Sequence, residues 1–243
     1  VTNNNYFRAG DKFKFTCHDG LQCFNSCCRD ISIFLTPYDV LRLKNRLKMS
    51  SREFLNRYTR VWETSSMAFP MVIINMRAEE DKRCPFITER GCSVYPDRPW
   101  SCRMAPVDIK GKDLFGFCFD KTCCHGIGEG REWTVEEWVK NQGADIYQKM
   151  DEKFKEIPLK LEFTGFTTID KHIKEMFFMA SYDLDRFREY IFKSSFLKKF
   201  AVPTELAEKI KADDVELMKF GFHWLVNLDI RKSMEIRDEI AGR

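Results

Sequence analysis

Apolar positions recur three and four residues apart in several stretches, each opened by a helix-start signal. Thr36-Pro37 suits an N-cap followed by a first turn, and Val40, Leu43 and Leu47 then give one apolar face. Ser50 with Glu53 predicts a capping box for a second helix, with Phe54, Tyr58 and Val61 on one stripe. Thr134 with Glu137 predicts another box, continued at helical spacing by Val135, Trp138, Val139, Gln142 and Ile146. Three further faces follow: Ile169, Ile173, Met176, Phe177 and Ala180; Leu184, Phe187 and Ile191; Val215, Met218, Phe222 and Leu225. Strand signals lie between the helical stretches. Met71 to Ile74 is a short run rich in β-branched residues, and Leu114 to Phe119 reads as a further strand. Cys84 to Ile87, the turn Glu89-Arg90-Gly91, and Cys92 to Tyr95 predict a hairpin with a cysteine on each arm. Residues 6–35 read mostly as loop, and Gly126, Gly128 and Gly130 mark a change of character.

The expected fold is therefore α+β and helix-dominated. A loop-rich, metal-stapled cysteine domain with a short β-hairpin is expected over residues 1–130, with a helical region, 131–243, packed on it.

Composition narrows the function classes. The chain of 243 residues is 44% hydrophobic and 32% charged, which is ordinary globular composition. Forty basic against thirty-seven acidic side chains leave +3, no basis for a nucleic-acid partner. No apolar run approaches the ~18 residues of a spanning helix. Val1-Thr2-Asn3-Asn4-Asn5 is polar, uncharged and followed by no apolar core, so no export leader and no membrane partner are expected.

The ten cysteines change the picture more. They are Cys17, Cys23, Cys27, Cys28, Cys84, Cys92, Cys102, Cys118, Cys123 and Cys124, and none follows. That density is about half the ~8–10% of a disulfide scaffold, and neighbours such as Cys27-Cys28 strain a mutual bridge. Metal ligation in a reducing cytoplasm is the expectation. Cys17-x5-Cys23-x3-Cys27-Cys28 crowds thiols whose thiolate charges repel unless a cation offsets them; thiophilic zinc or iron–sulfur centres supply one.

From Cys84 onward the cysteines form an ordered signature: Cys84-Pro85-Phe86, then Gly91-Cys92-Ser93-Val94-Tyr95, then Arg98-Pro99-Trp100-Ser101-Cys102-Arg103. With the first group, this resembles the YkgJ-like cysteine-cluster family, a zinc- or iron-chelating domain with a CxxCxxCC group, CPF, and GC-x-[IV]-Y-x-x-RP-x-x-CR. The first group departs from that pattern by wider gaps before Cys23 and Cys27. Thr36 to Asp39 and Trp133 to Trp138 also look like this family, so the resemblance spans roughly residues 15–150. It implies metal ligation by Cys17, Cys23, Cys27, Cys28, Cys84, Cys92 and Cys102, and Cys124, preceding the Gly-rich segment, would make eight. Cys118 and Cys123 are either further ligands or plain buried thiols.

Eight thiolates fit two four-ligand centres or one polynuclear centre. The vicinal Cys27-Cys28 is awkward on one tetrahedral ion and easier on different metal atoms or neighbouring sites, which favours iron–sulfur, with zinc as the alternative. The radical-enzyme spacing CxxxCxxC is absent, because Asp30 stands where its third cysteine belongs. A related cysteine region occurs in flagellin lysine N-methylases, so the resemblance also admits a methyltransferase; no catalytic or substrate-binding residue is assigned. His18 and His125 adjoin ligand candidates and either ligate, hydrogen-bond a thiolate or are exposed neighbours. Arg98 is read as ordering its loop or neutralising the thiolates.

Overall fold

The structure, a computed structural model, describes residues 6–64, 69–162 and 171–227. It is a helix-dominated α+β fold with small antiparallel sheets. The chain divides into two compact units. The first is Val1–Met49, Glu53–Trp62 and Met71–Asp151; the second is Ser50–Arg52, Glu63–Pro70 and Glu152–Arg243.

The first unit carries every cysteine. Its strands are β1 (Tyr6–Phe7), β2 (Phe13–Phe15), β3 (Phe34–Leu35), β4 (Thr59–Trp62), β5 (Met71–Ile74), β6 (Ile87–Thr88), β7 (Gly91–Cys92), β8 (Val107–Gly111), β9 (Leu114–Phe117) and β10 (Ile127–Trp133). They form sheets ordered β1-β9-β8, β10-β2, β3-β5-β4 and β6-β7. The helices are α1 (Pro37–Arg46), α2 (Ser51–Tyr58, begun in the second unit), α3 (Trp100–Met104), α4 (Val135–Asn141) and the start of α5 (Asp145–Glu162).

Local chemistry explains the elements that matter for the cysteines. Thr36 and Asp39 cap α1 reciprocally: Asp39 N donates to Thr36 Oγ1 (3.3 Å) and Thr36 N to Asp39 Oδ2 (2.8 Å). The second carboxylate oxygen accepts Trp100 N (2.8 Å), so the cap of α1 also fixes the start of α3, the helix of Cys102. Thr134 and Glu137 form the same box on α4. Buried Trp138 donates to Met104 O and buried Trp133 to Phe15 O, anchoring an aromatic core of Phe13, Phe15, Trp133 and Trp138.

Two expectations are corrected. Val61 lies in β4, paired with Val72: the run Thr59 to Trp62 is β-branched and aromatic, and it leaves the helix at Tyr58 to join β5. The helix from Val135 does not reach Ile146. Gly143 at φ 61° breaks it, and exposed Ile146 belongs to α5. Residues 6–35 are mostly loop, as expected, with three short strands, and Gly128 and Gly130 sit inside β10.

The second unit contains α6 (Lys171–Ser181), α7 (Leu184–Lys193), α8 (Phe196–Lys199), α9 (Thr204–Ala212) and α10 (Asp214–Val226). The expected faces are its core: Ile173, Phe177, Ala180, Leu184, Phe187, Ile191, Met218, Phe222 and Leu225 are buried. Ile169 lies outside the described residues. No helix among the described residues is long and apolar enough to cross a membrane.

Candidate metal centres

Backbone pairing brings the cysteine stretches together in two places. In the first, β2 runs antiparallel to β10 with Phe15 opposite Ile127, and Thr16 N donates to Gly126 O (3.2 Å). The chain ends leaving this pair carry Cys17 and Cys124. The approach is close enough that a Cβ on Gly126 would lie 1.9 Å from Thr16 O, so only glycine fits there. His125 N donates to Cys23 Sγ (3.3 Å), adding the next thiol. The charges of Cys27, Cys124 and Cys23 in turn act on Cys17. The first set is thus Cys17, Cys23, Cys27 and Cys124.

The second place is built on the β6-β7 hairpin. Cys84 N donates to Cys28 O (2.9 Å), Ile87 N to Cys84 O, and Ile87 pairs with Cys92. The charges of Cys102 and Cys84 act on Cys28, and those of Cys84 and Cys92 act on Cys102. The second set is Cys28, Cys84, Cys92 and Cys102. The vicinal pair divides: Cys27 joins one set and Cys28 the other, with their thiols hydrogen-bonded across the boundary.

The two sets differ in exposure and charge. Cys17 and Cys27 are exposed, whereas Cys84 is buried and no member of the second set is exposed. Burial and the neighbouring thiols Cys27, Cys124 and Cys23 push Cys17 up to about 11. The hydrogen bond from Cys28 draws Cys27 down to about 7, and the same contact followed by burial drives Cys28 strongly upward. Burial, then the charges of Cys84, Asp39 and Cys92, likewise raises Cys102. Thiols whose ionisation is opposed by burial and by their neighbours, as at Cys17, Cys28 and Cys102, are what a cation would relieve.

The turns also present donors to sulfur. Burial raises Cys84, Cys92 and Cys124, and a backbone hydrogen bond from Phe86, Val94 or Gly126 offsets part of that rise. Such bonds favour the thiolate over the thiol. Two buried guanidiniums adjoin the second set. Arg98, facing Cys102 and Cys92, donates to Tyr95 O and Gln142 Oε1. Arg103 donates to Arg98 O (3.0 Å), Gln142 O (2.6 Å), Pro96 O and Tyr147 Oη (3.1 Å). Neither has a carboxylate among these partners, so the charge of Arg98 is available to the sulfurs it faces.

Cys118 and Cys123 are exposed, which removes the reading of them as buried thiols. Cys118 Sγ donates to Pro106 O (3.2 Å), and partial burial, followed by the charge of Asp108, raises its thiol. His18 Nδ1 accepts Gly20 N (3.1 Å), and exposed His125 meets the first set through its backbone. Among the described residues, no three Cys, His, Asp or Glu donors already stand in one coordination sphere. The thiols are gathered, not closed.

Residues 16–125 match the family model described as "CxxCxxCC: putative zinc- or iron-chelating domain". This segment is similar to that family over just under half of the chain. No curated protein and no solved structure matches the chain. The CxxCxxCC segment begins one residue before Cys17 and ends one after Cys124, so it encloses both thiol sets and all ten cysteines. The donors of the CxxCxxCC domain fit a thiophilic metal: four sulfurs in each set, N–H groups aimed at three of them, and a guanidinium beside the more buried set. The sequence points to these eight residues but not to their division, which depends on the long-range pairing of β2 with β10 and of Cys84 with Cys28. The sequence places Arg103 beside Cys102, but not its bonds to Gln142 O and Tyr147 Oη, which come from about forty residues away.

Proposed function

We propose that the CxxCxxCC domain is a metal-binding module with two four-thiolate centres: Cys17, Cys23, Cys27 and Cys124 in one, Cys28, Cys84, Cys92 and Cys102 in the other. The observation that carries this reading is the backbone pairing that gathers the cysteine stretches in two places, Thr16 with Gly126 and Cys28 with Cys84, with the charges acting on Cys17 and Cys28 dividing the same way. Adjacent thiols can scarcely serve one tetrahedral ion, but each can complete a separate set of four. Iron–sulfur clusters are the first reading for the occupants, supported by the backbone N–H groups directed at sulfur. Zinc is the second, supported by each set having its own four thiols.

When bound, the metal would supply positive charge and fixed coordination geometry. The chain's own residues hold and tune it: the capping carboxylate of Asp39 fixes α3, and Arg98 offsets thiolate charge at the second centre. The test is anaerobic purification followed by metal and acid-labile sulfide analysis of the native protein and of Cys27→Ser and Cys28→Ser. Each variant should lose the content of one centre and keep the other. Brown protein with sulfide supports iron–sulfur; colourless protein with two zinc ions supports zinc. Unchanged metal content in both variants would falsify the assignment.

A further inference from the structure

Tyr6, Phe7 and Phe117, from the paired strands β1 and β9, meet Lys12, Lys14 and Lys121 around a cleft of about 410 Å³ in the first unit. No cysteine lines it. We propose that this cleft binds a small planar-ring phosphate monoester, with its ring against Tyr6 and its dianion held by Lys14 and Lys121.

Three observations carry this. The first is the wall. Its volume falls in the range of about 300–1,000 Å³ usual for small-molecule sites. Phe7 packs on Phe117 (ring centroids 5.2 Å) and on buried Phe13 (5.3 Å), so the aromatic side is fixed by the core. Tyr6 is exposed and offers a ring to stack on. The second is the bulge that admits a lysine. Strands β2 and β10 pair at Phe15 with Ile127 and again at Lys14 with Glu132, so residues 128–131 loop out opposite two adjacent residues. Gly128 in that bulge has φ 92°, and a Cβ there would lie 3.1 Å from Lys121 Nζ. The glycine leaves the space that the ammonium uses.

The third is charge. Lys12 has the carboxylate of Glu132 at 3.7 Å. Among the described residues Lys14 and Lys121 have no carboxylate partner, and Arg131 of the same bulge lies over the Trp133 ring (4.1 Å). Two unbalanced ammoniums at one cleft match one dianion. Lysine meets a phosphate as a point charge on a flexible stem, with no fork geometry to satisfy. A ring without the anion would leave both ammoniums unmatched, and an anion without the ring would leave Tyr6 uncovered.

The test is calorimetric titration of the full chain, purified anaerobically with its own metal. The probes are AMP and 4-nitrophenyl phosphate as ring phosphates, glycerol phosphate as the same dianion without a ring, and adenosine and 4-nitrophenol as the rings alone. At least one ring phosphate should bind with a Kd of about 1 mM or tighter, and its separate parts about tenfold more weakly. Lys14→Ala and Lys121→Ala should each weaken that ring phosphate about tenfold, the scale of one charge-assisted hydrogen bond. Tyr6→Ala should weaken it too while leaving glycerol phosphate unchanged. Lys140→Ala, outside the cleft and paired with Glu136, should change nothing. Tyr6, Lys14 and Lys121 are exposed, so their variants should keep the native metal content. Failure of both ring phosphates to bind, a separate part binding as tightly as the whole, or binding indifferent to both cleft-lysine variants overturns the proposal.

Discussion

From Thr16 to Ser32 not one side chain is buried, although this stretch brings four thiols into the two sets. The helices α6, α7 and α10 are the opposite case. Phe177, Phe187, Ile191, Leu217 and Met218 are each at most 1% exposed, and rings interlock around them: Phe154 to Phe177 and Phe222 at 5.7 Å, Phe187 to Trp224 at 5.5 Å. Helical order follows from burying apolar area, at about 1.5–3 kcal/mol for each large side chain. The cysteine stretch has no such source. Short-range turns such as Phe24 N to Leu21 O shape it, a few long-range bonds at its ends (Thr16 N to Gly126 O, Asp30 N to Lys82 O, Arg29 to Asp81) tie it down, and metal held by its thiols would be the strongest further tie.

The largest effect should come from stripping the metal. Under anaerobic chelation, amides of residues 16–32 should exchange hydrogen at close to unprotected rates, while α7 and α10 keep their protection. Hydrogen exchange read by mass spectrometry checks this segment by segment. Persisting protection in residues 16–32 after complete metal loss would erase the contrast.

A pair of substitutions sharpens it. Cys102→Ser removes a thiol from the second centre and should destabilise the first unit by upward of about 5 kcal/mol, since coordination energy there is folding energy. Metal content should fall with it. Phe187→Ala leaves a cavity among Phe196, Phe220 and Trp224 and should cost about 3–5 kcal/mol in the second unit, with metal content unchanged. Denaturant melts with parallel metal analysis separate the two outcomes.

The same contrast explains what could be read from the residues alone. In the helical unit, the faces from Ile173 to Ala180, Leu184 to Ile191 and Met218 to Leu225 are legible because a 3.6-residue period is local and burial follows it. In the cysteine unit the capping boxes at Thr36 and Thr134 are legible for the same reason. The division of the thiols is not. It depends on Thr16 meeting Gly126 and on Cys84 meeting Cys28, contacts across more than fifty residues that no local pattern encodes. Val61 and Ile146 mislead because their spacing fits a helix that a β-branched run and a left-handed glycine end first.

The smallest effect tests how the caps support the second centre. Asp39 is 1% exposed, and burial pushes its carboxyl up to about 7, against the lowering influence of the Thr36 and Trp100 N–H groups. A carboxyl with a raised value in the folded chain holds its proton more tightly there than in the unfolded chain. Its contribution to stability is therefore complete below the ordinary carboxylate range, near pH 4, and is lost as pH rises towards 7. Between pH 5 and 7 the first unit should lose about 2 kcal/mol from this group. Asp39→Asn keeps an oxygen for Trp100 N and has nothing to titrate, so it should flatten that slope and leave the helical unit untouched. Chemical denaturation at several pH values measures both; an equal slope in the variant would show that the dependence belongs to other groups. The slope should also be confined to the first unit, because Asp39 acts through Trp100 on the helix that presents Cys102.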